Sequence, residues 1–394
     1  MSALIWAGFA LSLAALLGLA RWSLWGAMAV GAAILGVFTL PLREVIPTLA
    51  AVLTDPGVLL LGLAVSVMPL IGAAMERTGR MDALVENLGV GRRAVFALAP
   101  ALLGMLPMPG GALLSSPLLE RTGGATAEVR AAANVWFRHA MLFVYPISAS
   151  LITAAKLAGL DVWTVLPYQL PALVLSAALG YIWLLRPVSG RLDPSGPRSP
   201  AALLAPLAIL LAAPALDLLL KRAAHLPVPE LATLAGVTAS LALAAWGKLT
   251  VWDVVHLARR GKPWRFGLIV AGMFAYLAAF QRSGMPGLIS GLHLPPQVLC
   301  LGIGWLLGFA TGRQQAATSI VIPIYTASYG LMGPWAFAVT YFASYLGYLL
   351  SPLHPCLTVS AAHAGTTLGA TWQRLLPPSV VALLVTAVAG FVVL

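Results

Sequence analysis

Two polar interruptions in an otherwise oily chain hold most of the side chains able to do chemistry. The first lies in LPMPGGALLSSPLL, residues 106–119, and the second in ATGRQQAATSIVIPI, residues 310–324. Arg313 is the sharpest of these residues, because a cation at membrane depth is costly unless paired or wet and marks a functional site by default. Its fork of donors matches a carboxylate bidentately. The alternatives are a side chain that snorkels to the outer surface or one that pairs with a carbonyl. Gln314, Gln315, Thr318 and Ser319 add neutral donors and acceptors. Pro109, Gly110 and Gly111 open the backbone at the first interruption, where Ser115 and Ser116 add hydroxyls. Such a set suits selection of a small polar solute; its plainer use is helix–helix hydrogen bonding.

Each interruption is followed by an apolar stretch that is itself broken. NVWFRHAMLFVYPISASLITAA, from Asn134, carries Tyr145, Pro146 and Ser148. TYFASYLGYLLSPLHPCLTVSAA, from Thr340, carries Ser351, Pro352, His354 and Pro355. Proline deprives the preceding turn of a hydrogen bond and frees carbonyls. Freed carbonyls and half-helix carboxyl ends suit a cation, and half-helix amino ends an anion. Thr311 and Gly312 at the second tip, facing these breaks, would complete one central polar pocket. His139 and His354 are candidate carriers of a coupling proton, since an unperturbed imidazole titrates near about pH 6.5; hydrogen-bonded packing is the equal alternative. The spans expected to be central hold no Asp or Glu. That disfavours a carboxylate relay and leaves backbone-held Na⁺ or a histidine-borne proton as coupling ion.

The elements that must position these residues are short. Ala94–Leu106 is 13 residues, about 20 Å of helix, against a hydrocarbon core of about 30 Å. Pro107 and Pro109 stop the incoming helix, the glycines allow a tight reversal, and Ala112–Leu119 returns to Glu120 and Arg121 on the side of entry. The spacing therefore predicts a re-entrant hairpin over 94–119 rather than one kinked span. A second is predicted over 297–325, with arms Val298–Phe309 and Ala316–Ile324.

Composition sets the class. Of 394 residues, 60% are hydrophobic and only 9% charged, where a soluble domain averages about 25% charged. The pattern predicts an all-α polytopic membrane protein with ten spans and two hairpins. The spans are 3–20, 24–40, 57–75, 131–155 and 165–186, then 200–217, 230–247, 266–282, 334–360 and 374–394. The proline-rich linker 187–200 divides the chain into 1–186 and 201–394. Matching landmarks keep nearly one spacing: Gly79 and Gly284 are 205 apart, Pro109 and Gly312 are 203 apart, and Pro146 and Pro352 are 206 apart. Five spans per half put the second half in the membrane upside down, the inverted repeat of secondary transporters.

The net charge of +11 would invite nucleic acid in a soluble protein. Here the basic residues sit in loops, and a cytoplasmic bias explains them. With both termini outside, 17 of the 23 Lys and Arg lie inside, 5 outside, and Arg313 at the second tip. The first run, Ala3–Ala20, lacks a preceding basic residue and reads as a retained helix rather than a signal peptide. Loops 76–93 and 248–265 read as amphipathic cytoplasmic helices. Cys300 and Cys356 are isolated and read as packing residues. No Walker A loop, HExxH, paired CxxC or GxSxG is present, so ATP-driven transport, metalloenzyme and serine-hydrolase chemistry have no visible site, and no cofactor or metal is expected.

GRMDALVENL, then LPMPGGALLSSPLLE, then NVWFRH with its YPI together resemble an uncharacterised family of prokaryotic integral membrane proteins, a domain of unknown function. That family is similar in layout to the ion transporter superfamily of gluconate permeases, citrate and dicarboxylate carriers, and the TRAP large subunit. The resemblance implies a homodimeric scaffold in the cytoplasmic membrane and an elevator-like transport domain. Its sites would fall at Pro107–Gly111 with Tyr145–Ser148 and at Thr311–Gln315 with Ser351–His354. The Ser-Asn-Thr signature of the sodium–dicarboxylate carriers is missing from both tips. The reading is an ion-coupled secondary transporter of a small organic anion. A carrier of a neutral or cationic solute, or a non-transporting membrane component or sensor, are the rivals.

Overall fold

In the computed structural model the described residues are 2–20, 22–87, 90–105, 112–190, 199–224 and 226–394, and the elements they form are all helices, with no strand among them. Local signals account for many boundaries. Asp55 caps Pro56–Arg77 by accepting from Val58 N at 3.0 Å, with proline in the first turn, where its missing N–H costs nothing. Thr250 and Asp253 form a reciprocal capping box at the start of Val251–Gly261. The linker residues 191–198 and the first hairpin tip, with Pro109, Gly110 and Gly111, lie outside the described residues.

Among the described residues, six helices are long and apolar enough to cross a membrane: Ser2–Ala20, Pro56–Arg77, Val162–Leu185, Ala202–Ala223, Trp264–Arg282 and Leu368–Val393. A seventh is the bent pair Pro334–Leu350 and Pro355–Ala364, which turns by 41°. The sequence pattern predicts ten. Leu24–Thr39 and Glu230–Ala245 form, but with 16 residues each they reach only about 24 Å. The stretch 131–155 resolves into Ala127–Ala140 and Ala149–Leu157 with a non-α segment between. Two short helices in expected loops, Leu42–Ala51 and Met285–Ser290, were not anticipated.

The helices run in one order in each half. Two apolar helices come first (Ser2–Ala20 and Leu24–Thr39; Pro200–Ala223 and Glu230–Ala245). Then follow a short helix (Leu42–Ala51; Val251–Gly261), a long one (Pro56–Arg77; Trp264–Arg282) and another short one (Arg80–Glu86; Met285–Ser290). Two hairpin arms come next (Arg92–Gly104 and Ala112–Thr122; Val298–Thr311 and Gln314–Tyr329). An interrupted pair and a last long helix complete each half.

Packing between the halves comes in exchanged pairs. Leu24–Thr39 lies on Trp264–Arg282, and Glu230–Ala245 on Pro56–Arg77. Ala112–Thr122 lies on Pro355–Ala364, and Gln314–Tyr329 on Ala149–Leu157. Within each half the incoming hairpin arm meets its interrupted helix backbone to backbone. A Cβ on Gly104 would fall 1.8 Å from Arg138 O, and one on Gly308 2.2 Å from Ser344 O, so only glycine permits either approach.

The two ends of Glu230–Ala245 are held differently. Its first residue pairs with Lys156, beside a cleft of about 370 Å³ that Asp161, Lys221 and Thr233 also line. Lys221 bridges Asp217 at 3.1 Å and Asp161 at 3.6 Å. At the other end Arg80 donates to the carbonyls of Leu243 (2.7 Å), Ala244 and Trp246 (3.1 Å). Those are the unsatisfied carbonyls of a helix carboxyl terminus, where a cation also meets the negative end of the dipole.

Candidate functional site

The second break begins where Pro352 denies a donor to the helix ending at Leu350, and the chain restarts with Pro355 in a first turn. Ser351 stabilises the gap: its hydroxyl accepts from Leu353 N at 3.2 Å and its carbonyl from His354 N at 3.0 Å. The second hairpin tip sits against this gap. Gly312 adopts φ +60°, and a Cβ there would lie 2.8 Å from Leu353. Thr311 closes the tip by donating to Leu307 O at 2.7 Å and accepting from Arg313 N at 3.2 Å. Arg313 is extended, partly buried, and stands immediately before Gln314–Tyr329.

Beside this break lie groups from the other half. Ala127–Ala140 packs on Pro355–Ala364 and delivers buried Arg138 and His139. Tyr348 Oη meets His139 Nε2 at 3.1 Å. The His354 ring centroid is 4.7 Å from that of His139 and 4.1 Å from that of Tyr348. The Arg138 guanidinium lies beside the Cys356 thiol, and Arg138 and Arg313 both lie near Tyr348. Among the described residues, no carboxylate lies within ion-pair distance of Arg313.

The first break is lined by oxygen. Ser148 Oγ and Ser150 Oγ are 3.1 Å apart, Ser150 Oγ is 2.9 Å from Tyr341 Oη, and Tyr341 Oη reaches Leu142 O at 3.3 Å. Gln314 joins the second hairpin to this group by donating to Tyr341 O at 3.2 Å, while its Oε1 is buried with no hydrogen-bond partner among the described residues. Tyr145 turns away and donates to Leu210 O at 2.9 Å. Pro146 lies within the same gap.

On the first hairpin's return arm, Ser115 Oγ is 2.5 Å from Asn134 Oδ1. Asn134 Nδ2 in turn reaches Ser116 Oγ at 2.8 Å and Ser360 Oγ at 2.9 Å. The tip Pro107–Gly111, expected to face the first break, lies outside the described residues. Gly312 meets the second break, Gln314 the first, and Ser115 and Ser116 the far arm of the second interrupted span. Thr318 and Ser319 bond back to their own helix, to Gln315 O at 3.2 Å and Ala316 O at 2.8 Å; Gln315 is partly buried. The sequence reading did not single out Tyr341, Tyr348 or Ser360. It gave Asn134 and Arg138 no role and read Cys356 as packing. Only a fold that joins the halves brings these residues together.

These features define a helical protein of membrane type, whose broken spans meet around buried polar groups. The chain belongs to the family described as Protein of unknown function (DUF401), which it matches over residues 11–393. No curated protein matches it.

Proposed function

We propose that the protein is an ion-coupled secondary transporter of a small organic anion, working by alternating access in the cytoplasmic membrane. The observation that carries this reading is the meeting of the Gly312–Arg313 tip with the broken helix at Leu353, beside Arg138 of the opposite half. Interrupted backbone at membrane depth persists only where it is buried or lines a wet cavity. Arg313, with no carboxylate at ion-pair distance among the described residues, presents a fork of donors that suits a carboxylate. The oxygen-lined first break suits Na⁺, and His139 or His354 suits a proton, as the coupling ion.

The exchanged packing supports two inverted repeats, 1–186 and 201–394, since a two-fold in the membrane plane produces such exchanges. A moving unit of hairpins and interrupted spans follows by analogy with the ion transporter superfamily. Transport is tested in proteoliposomes by uptake of labelled carboxylates under a Na⁺ or a pH gradient. Arg313→Gln should lower uptake of the accepted carboxylate at least about tenfold, the loss of one charge-assisted hydrogen bond of about 1.5 kcal/mol. Unchanged uptake by that variant removes the anion assignment. No flux under any gradient removes transport.

A further inference from the structure

The contact between Ala127–Ala140 and Pro355–Ala364 gathers His139, His354 and Cys356, whose ligating atoms all lie within 4.8 Å of one another. Both rings turn Nδ1 toward a backbone carbonyl. His139 Nδ1 is 2.6 Å from Val135 O, and His354 Nδ1 is 3.5 Å from Leu349 O. A carbonyl only accepts, so each imidazole directs its proton there and keeps its Nε2 lone pair for another partner. Metal-bound histidines are held in this manner. Among the described residues, the His139 lone pair meets only the Tyr348 hydroxyl, at 3.1 Å. His354 is fully buried, and its Nε2 has no hydrogen-bond partner among the described residues.

We propose that His139, His354 and Cys356 form a binding site for Cu⁺ between the two interrupted spans. Two imidazole nitrogens and a sulfur suit soft to borderline ions, whereas Na⁺ and Mg²⁺ take oxygen. Charge then selects among them. Cu⁺ with one thiolate is neutral as a pair and leaves the site's charge unchanged. Zn²⁺ would add a further positive charge beside Arg138 and Arg313 in apolar surroundings. Bond lengths of about 2.0 Å to nitrogen and 2.3 Å to sulfur bring ligand atoms to roughly 3.6 Å apart. The closure needed is about 1 Å, within reach of side-chain torsions. Binding frees His139 from the Tyr348 hydroxyl and releases the thiol proton to solvent.

The test is titration of purified, copper-free, full-length protein with Cu⁺ against a chromophoric Cu⁺ chelator. A single equivalent per chain is expected, with nitrogen and sulfur neighbours in the X-ray absorption of the wild-type complex. Cys356→Ser and His354→Gln should each weaken binding at least about tenfold. Cys300→Ser should leave it unchanged, and Tyr348→Phe should preserve or tighten it. Buried variants can lose the fold, so alkylation provides a second readout: in Cys300→Ser protein, Cu⁺ but not Na⁺ should shield Cys356. Preference for Zn²⁺, copper without sulfur neighbours, or undiminished binding by folded Cys356→Ser would overturn the site. Flux of an organic anion measured without copper is a separate observable, so failure of either proposal leaves the other standing.

Discussion

The two interrupted spans hold matching places in the two halves yet are broken in different ways. The first leaves the α-helix for the eight residues 141–148 and surrounds the gap with serine, tyrosine and carbonyl oxygens. The second leaves it for the four residues 351–354 and surrounds the gap with imidazole, guanidinium and sulfur. One scaffold thus carries two linings, oxygen at the first break and nitrogen with sulfur at the second. The scaffold is shared because the backbone contacts that hold each hairpin arm are shared. The chemistry differs because the side chains at equivalent positions do, His354 standing 206 residues after Ser148.

The largest expected effect strikes both sides alike. Gly104→Val and Gly308→Val each drive a side chain into a neighbouring backbone carbonyl, so each should destabilise by at least about 3 kcal/mol, read as loss of the folded peak in detergent. A near wild-type melting temperature for only one of them would break the equivalence of the hairpins. Next comes Tyr341→Phe, which removes the hydroxyl linking Ser150 and Leu142. It should cost about 1 kcal/mol in thermal stability and alter the Na⁺ dependence of uptake while leaving anion affinity in place. Equal loss of both would merge the two environments into one. The smallest effect lies outside both breaks. Hydrogen bonds from Thr250 hold the Asp253 carboxyl below the usual carboxylate range. The cap therefore contributes above the ordinary carboxylate titration and is lost as pH falls through the lowered value. Thr250→Ala should speed deuterium exchange in 251–261 at neutral pH, and leave exchange at both breaks untouched.

Much of this could be read from residue types. Proline and glycine mark the breaks locally, so the turn at Gly312 and the interruptions near Pro146 and Pro352 were legible. Span number was not: hydropathy alone cannot tell a 16-residue helix such as Leu24–Thr39 from a longer one, and ten expected crossings contrast with six or seven helices of sufficient length and apolarity. Pairing was the other limit. Nothing near Asn134 in sequence points to Ser360, and nothing near Arg138 points to Cys356, 218 residues further on. Cys356 looked inert for the same reason.

The exchanged seating of the hairpins has a consequence for how the protein is made. Asn134 and Ser360 are 226 residues apart, and a ribosome adding about 5–20 residues per second needs on the order of ten to forty-five seconds to cover that distance. Through that interval Ala112–Thr122 and Asn134 lack the partner that Pro355–Ala364 provides. The early half is then a natural client for membrane chaperones and quality-control proteases. A stall or truncation before Pro355 would hand it to them.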